Sequence, residues 1–325
     1  MTTDATITVA LGQIAPVWLN RAATLEKIVA AVDEAASKGA QLIAFGETLL
    51  PGYPHWLSTT DGARFESDRQ KDFHAHYLSE AVTIEEGHLD PIADAARRGS
   101  IEVIVGCYER PPERGGHTGY ASLVWLGTDG EVRNVHRKLV PTYEERLAWG
   151  AGDGHGLRVL PVGDFAVGTL NCWENWMPLP RAALSGLGEN LHIAAWPGCE
   201  RLTRSITPYI AKEGRSWVLS VSSLLRHEDI PDDVPHRDLF LKENDPLIAD
   251  GGSAIAGPDG TWLVEPVVGR EEVIVATLDL ATVYRERQNF DPTGHYSRPD
   301  VLRLTIDRTR QQTVEEGRLG PANDR

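Results

Sequence analysis

At 325 residues and 41% apolar content the chain can enclose a large core, and its formal net charge of −15 at pH 7 opposes phosphate backbones and anionic lipid. No lysine-arginine block offsets that charge locally and no apolar run approaches a membrane span, which argues against nucleic acid and membrane as partners. Three cysteines, Cys107, Cys172 and Cys199, are odd in number and far apart, a pattern that argues against a disulfide framework and for a reducing cytoplasm.

The opening ten residues carry no basic n-region and alternate apolar with polar, so they predict a first strand and not a signal peptide. Asn20 is placed to cap a helix whose Leu25, Ile28, Val29, Val32 and Ala36 share one face, with Gly39 as its C′ residue. A strand over 42–45 follows. Asp90-Pro91 predicts a second helix, with Asp at the N-cap and Pro at N1; Gly99 ends it, and 101–106 is the next strand. Segments 122–126 and 132–136 flank Thr-Asp-Gly, a hairpin signal. Further strands are expected over 165–170, 191–196, 217–221, 253–256, 262–264 and 273–278, with helices between several of them. The fold class is therefore α/β, sheets covered by helices, with two such layered units able to pack sheet to sheet. One domain is expected over 1–306, followed by a polar, mobile tail over 307–325.

Three of these strands finish on residues that complement one another chemically. Glu47 ends the run from Gln41, Lys138 the run from Glu131, and Cys172 the run from Phe165. The carboxyl ends of strands are where open α/β sheets expose a ligand crevice, and a thiol held there needs only a base and a cation to react. A lone cysteine at a strand end is more often packing; the conjunction with Glu47 and Lys138 reverses that reading. Cys107 and Cys199 are taken as structural. His74 and His76 have metal-ligand character, yet helix or surface packing is the better reading of that pair.

Four strings, Phe45-Gly-Glu-Thr-Leu-Leu-Pro-Gly-Tyr-Pro, His136-Arg-Lys-Leu-Val-Pro-Thr-Tyr-Glu-Glu-Arg, Asn171-Cys-Trp-Glu-Asn-Trp-Met-Pro-Leu and Gly294-His-Tyr-Ser-Arg-Pro-Asp-Val, together resemble the nitrilase branch of the carbon-nitrogen hydrolase superfamily. The resemblance implies a four-layer α-β-β-α sandwich with Glu47 as general base, Lys138 as electrostatic stabiliser, Cys172 as nucleophile and Glu145, chosen over its neighbour Glu144, as a second glutamate. It implies hydrolysis of a small organic nitrile to the carboxylic acid and ammonia, through a thioimidate and a thioester on Cys172, without metal or organic cofactor. An amidase, carbamoylase or cyanide-hydrolysing activity on the same scaffold is the alternative, and a non-catalytic assembly protein the third. Tyr53, Trp173 and Trp196 are expected to line the substrate pocket, with the Trp173 indole narrowing the space beside the attacked carbon. His136, two residues before Lys138 on the same strand face, is expected to support the site. Association into a homodimer, a larger homo-oligomer or a spiral filament is the expectation for assembly.

Overall fold

The computed structural model describes residues 5–242 and 247–314. Residues 1–4 of the expected first strand and 315–325 of the expected tail lie outside the described residues. Strand β1 (Thr6–Gln13) leads into helix α1 (Arg21–Ser37), whose N-cap Asn20 accepts from the Ala23 N–H at 3.0 Å, and Gly39 follows its end in the left-handed conformation expected of a C′ residue. Next come β2 (Leu42–Phe45), the short α2 (Trp56–Thr59), α3 (Asp68–Ser79) and α4 (Asp90–Gly99). The start of α4 is one residue earlier than the sequence predicts: Leu89 is the N-cap, and Asp90 and Pro91 form the first turn. There the Asp90 carboxylate still favours the positive end of the helix dipole.

Strands β3 (Glu102–Glu109), β4 (Tyr120–Leu126) and β5 (Val132–Arg137) follow, the last two joined as the expected hairpin. With β13 (Glu272–Asp279) they form one mixed sheet in the order β13-β1-β2-β3-β4-β5. The second sheet runs β10-β11-β9-β8-β7-β6, built from β6 (Val159–Val162), β7 (Phe165–Asn171), β8 (Leu191–Trp196), β9 (Trp217–Ser222), β10 (Leu224–Arg226) and β11 (Leu247–Ala256); β12 (Trp262–Val268) pairs with β11 off that path. The brief strands β6 and β10 escaped the sequence pattern, being four and three residues long. Helices α5 (Pro178–Gly186), α6 (Glu200–Thr203) and α7 (Ile206–Gly214) cover the second sheet, and α8 (Leu280–Arg287) follows β13.

Three apolar seams hold these layers. Ile28 and Val32 of α1 and Ile92 and Ala96 of α4 pack on Ile43 and Val103. Val9, Leu42 and Ile104 face Val167, Ile193 and Leu219 across the sheet-to-sheet seam. Ile206, Ile210 and Ala211 close over Ala194 and Val218. The architecture is the four-layer α-β-β-α sandwich. Strands buried on both faces read as nearly continuous apolar runs, as β2, β3 and β8 do. Among the described residues, no helix is long and apolar enough to cross a membrane.

The tail expected to be mobile from 307 onward is seated along its first residues. Arg310 pairs with Asp153 at 2.9 Å and donates to the Val135 carbonyl at 3.0 Å, and the Gln311 N–H donates to the other Asp153 oxygen at 3.0 Å. Gln311 also donates to the Gly152 carbonyl at 3.1 Å, while the Gly152 N–H donates to the Lys138 carbonyl at 2.8 Å.

Candidate active site

The site lies where the strand ends of the two sheets meet. Glu47 follows β2 and Lys138 follows β5 in the first sheet; Cys172 follows β7 in the second. Two glycines make the junction close enough. A Cβ at Gly106 would collide with the Gly46 carbonyl oxygen, and one at Gly46 would crowd the Trp196 carbonyl and the Ser223 hydroxyl. That proximity lets the Glu47 N–H donate to the Trp196 carbonyl at 3.1 Å, joining β2 to the end of β8.

Cys172 opens a 3-10 turn (Cys172–Trp176) and has φ 46°, a left-handed conformation that costs a non-glycine residue about 1–2 kcal/mol. The turns carrying the two glutamates share the feature, with Thr48 at φ 44° and Tyr143 at φ 45°. Such sharp exits from a strand aim the next side chain into the crevice and not along the sheet.

The ionisable set is almost fully enclosed: Glu47 and Lys138 are 0% exposed, Glu145 2% and Cys172 3%. The Lys138 ammonium sits between two carboxylates, 2.7 Å from Glu47 Oε1 and 2.6 Å from Glu145 Oε2. Trp149 presents its ring 5.3 Å from the same nitrogen. Glu145 is held further by the Thr142 N–H at 2.6 Å and the Tyr53 hydroxyl at 2.8 Å, so geometry selects it over the partly exposed Glu144. Glu47, Glu145 and Cys172 each bring one ligand atom within 4.8 Å of the others, a donor set suited to a cation. Lys138 supplies that positive charge.

Desolvation by burial pushes the Glu47 carboxyl up to about 8 against the opposing pull of Lys138. Burial likewise pushes the Cys172 thiol well up, and the Glu47 charge adds to it. For Lys138, burial disfavours the ammonium, but the charges of Glu47, Cys172 and Glu145 outweigh it and hold the group above its usual range. The resting state is thus a thiol beside a carboxyl group that becomes a competent base only once ionised. A base works unprotonated, so kcat/KM is expected to rise with pH through about 8 and to level above it. Rates measured from about pH 5 to about pH 10 check this; a flat or falling profile across the midpoint would contradict the assignment, and Glu47→Gln should abolish the ascending limb.

The other expected residues divide. Tyr53 reaches the site as a hydrogen-bond donor to Glu145, packed edge-on against Trp149 with ring centroids 5.5 Å apart. Trp196 belongs to the same buried cluster as Cys172. Its indole is buried in the seam under α7 and donates to the Ser220 hydroxyl at 2.9 Å, so its backbone carbonyl is the part that meets Glu47. Trp173 turns its indole outward, 41% exposed and stacked on Trp176 at 5.6 Å; what it brings to Cys172 is a neighbouring backbone N–H that favours the thiolate. His136 is fully buried and meets Glu174 at 3.0 Å, supporting the site through that carboxylate. His74 is exposed on α3, and His76 bonds the Leu19 carbonyl at 3.0 Å, as packing residues would.

Sequence reasoning missed Glu174 and Asn175. Glu174 accepts from the Asn171 N–H at 2.8 Å and the Leu139 N–H at 2.6 Å. Asn175 donates to the Leu170 and Cys172 carbonyls and bonds His192, which in turn bonds Glu189. Asn171 followed three residues later by Glu174 is a capping-box spacing, the one signal that could have found the first of them.

A narrow cavity of about 10 Å³ lies beside Glu47, lined by Trp18, Leu49, Tyr53, His55, Pro197 and Leu225 among others. The chain matches the carbon-nitrogen hydrolase family over residues 8–288. It is 35% identical over 304 residues to nitrilase 2 of Arabidopsis thaliana, covering 91% of this chain and 87% of that protein. An aliphatic nitrilase of Rhodococcus rhodochrous is 33% identical over 321 residues, covering 93% of this chain and 83% of that one. The solved carbon-nitrogen hydrolase of Helicobacter pylori G27 has the same fold, with a TM-score of 0.69 at 18% identity, covering 91% of this chain and 97% of that chain.

Proposed function

The chain belongs to the carbon-nitrogen hydrolase family, on the branch of its nitrilase relatives, and from that premise we propose that it hydrolyses an organic nitrile to the carboxylic acid and ammonia. The observation that carries the reading is the enclosed Lys138 ammonium clamped by Glu47 and Glu145 beside Cys172. A nitrile carbon is a weak electrophile and a neutral thiol a weak nucleophile, so proton removal and charge stabilisation must accompany attack.

In this mechanism Glu47 takes the Cys172 proton as Sγ bonds to the nitrile carbon. One C–N π pair moves to nitrogen, where Lys138 and the Trp173 N–H stabilise it, and Glu47 passes the thiol proton to that nitrogen, giving the thioimidate and regaining its ionised form. Water then adds to the same carbon, giving a proton to Glu47, with Glu145 orienting it. The C–N bond breaks, ammonia leaves with the protons it has collected, and a thioester remains. A second water cleaves the C–S bond, releasing the carboxylic acid and returning a proton to the thiol. Two waters enter for each nitrile consumed.

The apolar side chains beside Glu47, among them Trp18, Leu49 and Leu225, favour an apolar organic nitrile. A thioester can also be reached from an amide, so the test needs amide arms. Ammonia release is to be measured on benzonitrile, an aliphatic nitrile, their amides and cyanide, with kcat/KM for a nitrile expected at least about tenfold above that for its amide. A preference for the amides or for cyanide would replace the reading with its alternative, and no release from any substrate would favour an assembly protein. Homo-oligomerisation and a cytoplasmic setting complete the proposal, supported by exposed Leu179 and Tyr209 on the α5–α7 layer and by three unpaired cysteines. Sedimentation of the same preparation reads the assembly state.

A further inference from the structure

Lys138 and Cys172 sit on different sheets, and one side chain touches the backbone beside both. Glu174 Oε1 accepts from the N–H of Leu139, the residue after Lys138, at 2.6 Å; Oε2 accepts from the N–H of Asn171, the residue before Cys172, at 2.8 Å. His136, two residues before Lys138, approaches Oε2 at 3.0 Å. The carboxylate is 0% exposed and meets these three partners, on two strand ends from opposite sheets. We infer that Glu174 is a positioning residue that fixes the separation of Lys138 from Cys172, so that the ammonium meets the nitrogen of the substrate as the sulfur meets its carbon.

A carboxylate accepts at both oxygens, as the Leu139 N–H on one and the Asn171 N–H on the other require. The charge and hydrogen bonds of His136, with the two backbone N–H groups, outweigh burial and keep the Glu174 carboxyl below its usual range. An amide in its place would turn an N–H toward one of those donors and push the strand ends apart, and a displacement of about 1 Å in a catalytic pair can cost about 10²-fold in rate.

The turnover arm of the test rests on the nitrilase reading; the labelling arm does not. Glu174→Gln is expected to lower kcat on a nitrile by about 10²-fold with KM within about threefold of the parent. It should also move the pH profile of Cys172 alkylation by iodoacetamide, followed by peptide mass, upward by about one unit as Lys138 loses its alignment. Glu174→Asp, which keeps the charge but cannot span both N–H groups, should lose about tenfold and serves if the amide variant does not fold. Parental kcat in a folded variant, or an alkylation profile that stays in place, overturns the inference. A parent inactive on every nitrile and amide, with the alkylation shift intact, would instead remove the proposed activity and leave Glu174 in its role.

Discussion

Cys172→Ala is expected to leave a folded protein with turnover reduced by roughly 10⁴–10⁶-fold, the scale seen when a covalent nucleophile is deleted. The residue is 3% exposed and contributes little packing volume, so alanine leaves a small void and the melting temperature should move by only a few degrees. Rapid quenching of the parent during turnover should place one substrate-derived mass on the peptide bearing Cys172, and the variant should show none. Cys107 lies buried in β3, where desolvation pushes its thiol well up, and Cys199 is the N-cap residue of α6. A substrate adduct on either of them, or turnover surviving in the alanine variant, would remove Cys172 from its role.

Lys138→Met should be as damaging to activity as to stability, for a single reason. The methionine fills much of the volume but leaves Glu47 and Glu145 facing each other in an enclosed space with no cation between them. Removing one partner of a buried ion pair costs about 3–5 kcal/mol, because the remaining charge is stranded away from water. Without the pull of Lys138, Glu47 would hold its proton to higher pH than in the parent, and the donor for the developing nitrogen charge would be gone, a loss of about 10²–10³-fold in kcat. Glu47→Gln makes the informative contrast. It retains the Lys138–Glu145 pair, so its melting temperature should fall much less, while kcat drops by about 10²–10⁴-fold for want of a base. Thermal unfolding of the two variants side by side checks the order; equal melting temperatures would mean that Lys138 is not the counter-ion of both glutamates.

The catalytic candidates were legible because each follows the carboxyl end of an expected strand, Glu47 and Cys172 closing apolar runs and Lys138 closing the mixed run of β5, and strand carboxyl ends are where such sheets expose a crevice. Glu47, Lys138 and Cys172 stand where that logic places them. The direction in which a side chain leaves a strand was harder to read. β8 is buried on both faces, so its composition carries no alternation from which to tell that Ile193 faces the other sheet while Ala194 and Trp196 face α7. Trp173 sits in a turn, where no period of two or 3.6 applies, and its outward stacking on Trp176 had no signature. Glu174 stayed hidden for a different reason: its partners are backbone N–H groups, present at nearly every residue, and only the folded arrangement says which two it receives. Composition gives no sign of where the first tail residues sit. The polar residues there are the ones Asp153 and the backbone of 135 and 152 bind.

The division of the reactive set between two sheets has a further implication. A catalytic loop can be tuned by altering its own length, but here the sulfur rides on one slab and the carboxylate and ammonium on the other. Their alignment is a registry between slabs, maintained by the apolar seam of Val9, Leu42, Val167 and Ile193 as much as by any polar contact. Substitutions deep in that seam, far from any reacting atom, therefore act on rate by sliding one slab against its mate.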